Sequence, residues 1–261
     1  MWSNDWGSEI YENMDWTQHT DIQDTIQDWI TNDADFRDKL IRNKKVVCLD
    51  LYWTLIYQQT SLRNKIKNYM KSKKDNSYVR KVLNLFKKSE QRDLDLRSIN
   101  DELPESHEDK LPERDVYELQ GYIKEDLKKV RRYRETSRVL KELKKKYKLA
   151  LISNISKEYE EPFKRLIKEW TFDYKAFSYS VKKPKPEPEI FETIIDQAKN
   201  DWFSVEDMVM IWDTRKHDMK WAEEVWMDRI FLDRKAKKMY YDENRKIRVI
   251  HTLDDLTKIL V

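Results

Sequence analysis

Five short apolar runs, most of them separated by helical stretches, place the strongest constraint on how this chain can fold. They cover residues 45–51 (KVVCLDL), 149–154 (LALISN), 176–181 (AFSYSV), 207–213 (DMVMIWD) and 229–234 (RIFLDR). Short apolar runs are typical of buried strands, and their alternation with helices favours a parallel sheet covered by helices on both faces. The sequence therefore predicts an α/β fold with a Rossmann-like parallel core of about five strands.

A long helical stretch interrupts this alternation after the first run. Between about residues 60 and 140 the chain is rich in Lys, Arg, Glu and Leu, with breaks at Pro104 and Pro112. This stretch is too long for a single crossover helix, so it predicts a helical domain over 59–137, inserted into a core formed by 43–58 and 138–261. Residues 1–42 are polar and acid-rich without a sustained period, which predicts a flexible acidic N-terminal extension.

Composition excludes several classes of function. No run approaches the ~18 apolar residues of a membrane span, and the acidic N-terminus is unlike a signal peptide. The formal net charge is only +3, from 52 basic and 49 acidic residues, so it gives no case for nucleic-acid binding. The single cysteine, Cys48, excludes an internal disulfide, fits a reducing cytoplasm and is predicted to be a buried apolar residue of the first strand.

Polar side chains follow four of the predicted strands or the loops after them. They are Asp50, Ser153, Asn154, Lys185, Asp213 and Asp218. In open parallel sheets, ligands bind at the carboxyl ends of the strands. Taken singly, each of these residues is also an ordinary turn or cap residue. Together they supply a nucleophilic aspartate, oxygen ligands for a hard cation and a lysine that offsets phosphoryl charge, which predicts a phosphoryl-transfer site.

Four motifs, in this order, resemble those of the haloacid dehalogenase (HAD) superfamily with a helical cap inserted after the first strand. They are VVCLDLYWTLI, LALISN, KKPKPEPEIFE and MVMIWDTRKHDMKWAEEVWM. The resemblance runs from about residue 45 to about residue 256, although the cap region matches only in being helical. It implies a hydrolase with a HAD-like core that acts on a small phosphorylated substrate. Net charge and the lack of a long apolar run already indicate no nucleic-acid and no membrane partner.

The same resemblance implies a role for each motif residue. Asp50 is the nucleophile, Thr54 and Ser153 hydrogen-bond the bound oxyanion with Asn154 beside them, and Lys185 is the lysine of the third motif. A magnesium ion is held by two carboxylates of the fourth motif, together with Asp50 and the backbone carbonyl of Tyr52. These two carboxylates are Asp213 and Asp218.

One departure from the family pattern bears on mechanism. Phosphatases of this family usually carry a second aspartate two residues after the nucleophile, as general acid and base, and here that position is Tyr52. A phenol with a pKa near ~10 is a poor base at neutral pH. The first motif thus resembles that of the metal-independent dehalogenase branch, for which Arg80 is a candidate ligand of a substrate carboxylate. The fourth motif resembles that of phosphatases and favours a magnesium-dependent phosphatase, with a catalytically weak binding or regulatory protein as a third reading.

Ten tryptophans stand against only two glycines. Glycine averages ~7% of residues in proteins, because turns need its access to positive φ. Five tryptophans stand where the family pattern or its common variants have glycine: Trp53, Trp170, Trp212, Trp221 and Trp226. Some bacterial lineages read the UGA codon as glycine and others read it as tryptophan. We therefore hypothesise that the ten tryptophans are glycines translated with the wrong table, the alternative being a genuinely tryptophan-rich protein.

Overall fold

A computed structural model of the protein describes residues 41, 43–58, 76–213 and 227–261. The predicted N-terminal extension, apart from Ile41, lies outside these residues. So do residues 59–75 of the predicted helical insertion, the predicted magnesium ligand Asp218, and Trp221 and Trp226. Residues Ile41–Val261 form one compact unit.

The main sheet is parallel over most of its width, as the alternation of strands and helices predicts. Its first strand, β1 (Val46–Leu49), pairs in parallel with β4 (Lys148–Ser153) on one side and β6 (Met208–Trp212) on the other. Outside these lie β5 (Tyr174–Phe177), next to β4, and β7 (Asp228–Leu232), next to β6. The α/β fold class is confirmed.

Two parts of this sheet differ from the prediction. Beyond β7, the described residues add a parallel strand, β9 (Ile247–Ile250), and an antiparallel edge strand, β8 (Tyr240–Asp242), so the sheet has seven strands rather than about five. The third apolar run, moreover, is a strand only as far as Phe177. The Ser178 hydroxyl bonds both the amide and the carbonyl of Ile155, at 3.1 Å each, and the chain turns there into a helical turn over Ser178–Val181.

The helices of the described residues, in chain order, are α1 (Asn76–Ser89), α2 (Leu96–Glu102), α3 (Glu113–Leu127), α4 (Thr136–Lys144), α5 (Glu161–Leu166), α6 (Ser178–Val181), α7 (Pro188–Lys199) and α8 (Asp254–Leu260). Helix α2 begins where the Asp95 carboxylate accepts a hydrogen bond from the Ser98 amide, and it ends before Pro104. Helix α3 begins directly after Pro112, so both prolines bound helices as predicted. None of the described helices is long and apolar enough to cross a membrane.

Helices α1 to α3 lie between two short strands that pair with each other. These strands, β2 (Ile56–Tyr57) and β3 (Arg131–Arg132), form an antiparallel ladder in which Ile56 is opposite Arg132. The chain thus leaves the main sheet after β1 and returns next to its own point of departure. This arrangement is typical of an inserted segment, and it brings residues 131–136 close to the turn that follows β1.

The two faces of β1 are buried in two separate apolar clusters. Val47 and Leu49 pack with the apolar residues of α1 to α4, whereas Val46 and Cys48 pack on the opposite face with residues of α7. Burial on both faces explains why this strand is a continuous apolar run. The prediction that Cys48 is a buried residue of the first strand is confirmed, and burial raises the pKa of its thiol to about 12.

Candidate active site

Asp50 lies at the carboxyl end of β1, an interior strand of the sheet between β4 and β6. Its side chain is held on one oxygen by two donors: the Lys185 ammonium at 3.2 Å and the Leu51 amide at 2.7 Å. Only 8% of Asp50 and 5% of Lys185 is exposed, so their charges interact with little screening by water. The carboxylate predicted as the nucleophile is therefore fixed in orientation by the lysine of the third motif.

The strand register aligns the other motif residues with Asp50. Leu49 is opposite Leu151 on β4 and Ile211 on β6, and the Asp50 amide bonds the Ile211 carbonyl at 3.1 Å. Continuing this register by two residues brings Ser153 and Asp213 level with the residue after Asp50. The structure therefore places Ser153 and Asp213 on either side of Asp50, at the same edge of the sheet.

Asn154 holds the backbone of the lysine loop. Its side-chain carbonyl accepts a hydrogen bond from the Lys185 amide at 2.6 Å, and its side-chain amide donates to the Lys185 carbonyl at 2.9 Å. This reciprocal pair fixes the loop from which the Lys185 side chain reaches Asp50. Asn154 also lines the cavity next to Tyr52, so it joins two predicted parts of the site.

The turn after Asp50 is tight. The amides of Leu55 and Ile56 both bond the Leu51 carbonyl, at 2.8 and 3.1 Å, and the Trp53 amide bonds the Ile56 carbonyl at 2.7 Å. Within this turn the Thr54 side chain is fully buried, and its hydroxyl has no hydrogen-bond partner among the described residues. A buried hydroxyl without a partner is costly, and a bound ligand oxygen would satisfy it.

Tyr52 is turned towards the 3-10 helix of residues 157–160. Its hydroxyl donates to the Tyr159 carbonyl at 3.1 Å, and the two rings lie 5.9 Å apart. Burial raises the pKa of the Tyr52 phenol well above its usual range, and the Glu161 and Asp126 carboxylates raise it further. The phenol is thus neutral at physiological pH and cannot act there as a base.

A cavity of about 440 Å³ separates the turn after Asp50 from helix α1. The turn and its neighbours contribute Tyr52, Trp53 and Asn154, and α1 contributes Asn84 and Lys87. Glu90, just beyond α1, also lines it, and burial raises the pKa of this carboxyl to about 7. Arg80, the predicted ligand of a substrate carboxylate, is exposed on α1 and is not among the residues that line this cavity.

The carboxyl edge also holds a residue that the sequence analysis missed. Arg234 follows β7 and reaches back to the turn after Asp50, where it donates to the carbonyls of Trp53 and Thr54. A signal was present in the sequence, because Arg234 ends the run RIFLDR just as Asp213 ends the run DMVMIWD. Only the contacts to the turn show what this arginine does.

The donor set at this edge suits a hard cation. Asp50 and Asp213 end neighbouring strands, and carboxylate oxygens are the ligands that Mg²⁺ prefers. Among the described residues no group of three or more His, Cys, Asp or Glu side chains is close enough to hold a metal ion. The remaining predicted carboxylate, Asp218, lies outside the described residues.

Comparisons with known proteins agree with this geometry. A family model described as haloacid dehalogenase-like hydrolase matches residues 49–232. Among solved structures, the chain is similar to a HAD phosphatase from Thermococcus onnurineus, with 19% identity and a TM-score of 0.54 over 83% of this chain and 97% of that one. It is also similar to a 2-haloacid dehalogenase from Pseudomonas syringae pv. Tomato, with 16% identity and a TM-score of 0.55 over the same shares.

A further similar structure is a HAD family enzyme from Bacteroides thetaiotaomicron, as an aspartate-to-alanine mutant in complex with magnesium and inorganic phosphate. It is 18% identical, with a TM-score of 0.53, over 72% of this chain and 94% of that one. No curated protein sequence matches the chain. The family model spans well over half of the chain, so the protein belongs to the haloacid dehalogenase-like hydrolases, and the resemblance noted in the sequence is confirmed.

Proposed function

We propose that this hydrolase is a magnesium-dependent phosphatase that acts on a small phosphorylated metabolite through an aspartyl-phosphate at Asp50. The observation that carries the proposal is the pairing of Asp50 with Lys185 at 3.2 Å, beside a second carboxylate, Asp213, at the end of the neighbouring strand. Two carboxylates next to a transferring phosphoryl group would repel it without a cation. The presence of Asp213 therefore favours a metal-assisted reaction over a metal-free one.

The reaction follows from the chemistry of these groups. A carboxylate oxygen of Asp50 attacks phosphorus, the bond from phosphorus to the substrate oxygen breaks, and the leaving oxygen takes a proton. Water then attacks the acyl-phosphate, which releases inorganic phosphate and restores the Asp50 carboxylate. Lys185 balances the charge of the nucleophile and the phosphoryl oxygens, to which the Thr54 and Ser153 hydroxyls donate hydrogen bonds.

A magnesium ion, when bound, would neutralise phosphoryl charge. Its ligands would be Asp50, Asp213, the backbone carbonyl of Tyr52 and Asp218. Proton transfer to the leaving group does not use Tyr52, because the Tyr52 hydroxyl donates to the Tyr159 carbonyl and the pKa of the phenol is raised. Water or the substrate itself takes that role, which predicts a slow phosphatase. We place the enzyme in a bacterial cytoplasm, in keeping with its one buried cysteine.

One observation favours a second function. With Tyr52 in place of an acid–base aspartate, the site offers no proton donor at the usual position, and a dehalogenase needs none because halide leaves as an anion. The second candidate is therefore a metal-independent 2-haloacid dehalogenase. A third, a binding or regulatory protein of the same fold, is favoured by the indole of Trp53, which occupies the wall of the cavity.

A single set of assays separates these functions. Phosphate release from a panel of phosphomonoesters is measured with Mg²⁺ and with EDTA, and halide release from 2-haloacids is measured in parallel. The variants are Asp50→Asn and, as a matched control, Asp196→Asn, which alters an exposed aspartate paired with Lys199 on the surface of α7. The assays use both the chain with tryptophan at the ten positions and a form with glycine there.

We expect phosphate release that EDTA abolishes, that Asp50→Asn reduces by at least ~1,000-fold and that Asp196→Asn leaves unchanged. Halide release that persists in EDTA would replace this proposal by the dehalogenase. Neither activity in either form of the chain would favour the binding protein.

A further inference from the structure

Arg234 links three parts of the molecule at the catalytic edge. Its Nε donates to the Trp53 carbonyl at 3.2 Å, its Nη2 donates to the Thr54 carbonyl at 2.8 Å, and its Nη1 donates to Glu135 at 2.8 Å. All three guanidinium nitrogens are therefore used. Two of them hold consecutive carbonyls of the turn that follows Asp50.

The guanidinium is itself held from the opposite side. It lies 3.4 Å from the centre of the Tyr133 ring, in a cation–π contact, and it pairs with the Glu135 carboxylate. Burial alone would raise the pKa of Glu135, but the hydrogen bond and charge of Arg234 outweigh it and lower that pKa, which keeps the pair ionised at neutral pH. The arginine is therefore positioned before any substrate binds.

The next carbonyl of the turn is held by the same segment. The Leu55 carbonyl accepts hydrogen bonds from the Thr136 hydroxyl at 2.8 Å and the Tyr133 amide at 3.3 Å. Three successive carbonyls, from residue 53 to residue 55, are thus fixed from outside the turn. The Thr54 hydroxyl, which those carbonyls flank, is left without a partner.

We propose that Arg234 is a positioning residue, which fixes the turn after Asp50 so that the Thr54 hydroxyl and the turn backbone are aimed at the substrate. The proposal rests on the proposed function for its catalytic consequence. Its structural consequence, a turn that opens when Arg234 is removed, does not depend on which substrate the enzyme takes.

The test compares Arg234→Met with Arg234→Lys and Glu135→Gln. The control is Arg245→Met, because within the described part of the chain Arg245 pairs with Asp242, three residues away in an exposed turn. Phosphate release gives kcat and KM, thermal melting shows that each variant folds, and hydrogen exchange of the peptide over residues 50–58 reports on the turn itself.

We expect Arg234→Met to lower kcat about 10- to 100-fold with KM changed less than about threefold, because misplacement of a positioned group affects the transition state most. Lysine keeps the positive charge and one donor nitrogen and should recover part of the loss, and Glu135→Gln should produce a smaller loss of the same kind. Exchange over 50–58 should rise in Arg234→Met and not in Arg245→Met. An unchanged exchange rate overturns the proposal even if the chain proves not to be a phosphatase, and a kcat equal to that of the control overturns it if the chain is one.

A separate observation concerns tryptophans that stand where the backbone has a positive φ. Among the described residues four side-chain-bearing residues have positive φ: Trp53 at 66°, Lys182 at 65°, Trp202 at 66° and Lys246 at 51°. Two of the four are tryptophan, although the described residues include only Trp53, Trp170, Trp202 and Trp212 of that type. The left-handed region costs a residue with a Cβ about 1–2 kcal/mol, and a bulky side chain there is rare.

Trp202 stands at the position where helices most often use glycine. After α7, the Trp202 amide bonds the Lys199 carbonyl at 3.0 Å and the Phe203 amide bonds the Ala198 carbonyl at 3.1 Å. These two bonds define a Schellman motif, whose left-handed residue is usually glycine. The Trp202 side chain is 95% exposed, so no burial of the indole compensates for the backbone strain.

Trp212 gives independent support from burial. Its side chain is fully buried in β6, next to Asp213, and its indole N–H has no hydrogen-bond partner among the described residues. An unpaired buried donor costs about 1–3 kcal/mol. The same position in the motif resemblance has glycine, which buries no such donor.

We infer that the cell inserts glycine at residues 53, 202 and 212, and at the other tryptophan positions, because the gene uses UGA as a glycine codon. At residue 53 the consequence reaches the site. Removal of the Trp53 side chain takes an indole from the wall of the cavity beside Tyr52 and Asn154, and it frees the turn from strain.

The codons of the gene and the mass of the protein isolated from its own cells test this inference. We expect UGA at all ten positions and tryptic peptides lighter by one indolylmethyl group at each of them. UGG codons, or peptides with tryptophan mass, overturn it.

Discussion

The turn at Trp53 and the turn at Trp202 each hold a tryptophan at the same positive φ and differ in their surroundings. Both tryptophans have a φ of 66°. The first turn follows Asp50, lines the cavity, and has its carbonyls held by Arg234 and by residues 133–136. The second follows α7 and carries an indole that is almost wholly exposed. The positive φ favours glycine at both positions. Only at residue 53 does the side chain also line the cavity of the candidate active site.

The largest effect is expected at the first turn. Trp53→Gly should raise phosphate release about 10-fold or more, because it opens the cavity beside Tyr52 and Asn154 and relaxes the turn that carries Thr54. It should also raise the free energy of unfolding by about 1–2 kcal/mol. Steady-state kinetics and urea unfolding measure the two effects. A gain in stability without a gain in activity would show that the indole does not obstruct the site.

The second turn should respond in stability alone. Trp202→Gly is expected to add about 1 kcal/mol to the free energy of unfolding. It should leave kcat and KM unchanged, because residue 202 is almost wholly exposed at the end of α7. Lys246→Gly, at the other end of the sheet with a φ of 51°, is the matched comparison. Urea unfolding of both variants gives the measurement, and a change in kcat on Trp202→Gly would break the contrast between the two turns.

Tyr52, next to Trp53, tests whether its hydroxyl takes part in chemistry. Tyr52→Phe removes the hydrogen bond to the Tyr159 carbonyl and should cost about 0.5–1.5 kcal/mol of stability. Because the phenol stays neutral and donates to the backbone, kcat should change less than about twofold. A large fall in kcat in parallel assays would show that the hydroxyl moves a proton in the reaction.

Glu90 lines the same cavity as Trp53, and its ionisation should make the stability of the protein depend on pH. Burial raises the pKa of this carboxyl from 4.5 to about 7, so the folded protein binds more protons than the unfolded chain between those values. Its contribution to stability is therefore full below pH 4.5 and falls as the pH rises through 7. Urea unfolding from pH 5 to 8 should show a smaller decline in Glu90→Gln, and an identical decline would contradict the assignment.

The position of the candidate site could be predicted from the sequence, because its polar residues follow apolar runs that are typical of buried strands. Ser153 and Asp213 lie level with the residue after Asp50 as a consequence of parallel register. Asp218 stays a prediction, since it lies outside the described residues. The strand β9 was missed because four apolar or basic residues between charged turns give too short a signal.

The contacts around the candidate site join residues that are far apart in the sequence, and a local sequence motif does not show such contacts. Arg234 donates to the carbonyl of Thr54, which is 180 positions earlier in the chain. Glu90 lines the cavity together with residues of the turn after Asp50. Arg80, by contrast, is a candidate only because the resemblance to dehalogenases requires an arginine in the cap, and in the structure it is exposed and does not line the cavity. The identity of the substrate depends on this second kind of contact, which explains why the motifs predict a reaction type more readily than a substrate.

The most direct measurement is the covalent state of Asp50 during turnover. The ten-glycine form is mixed with a reactive phosphomonoester and Mg²⁺, quenched in acid and digested, and the peptide that contains Asp50 is examined by mass spectrometry. The account predicts a phosphoryl group on Asp50 that is lost in base and absent from Asp50→Asn. Turnover of the phosphomonoester with the phosphoryl group on another residue, or with none trapped on Asp50 under conditions that slow hydrolysis, would contradict it.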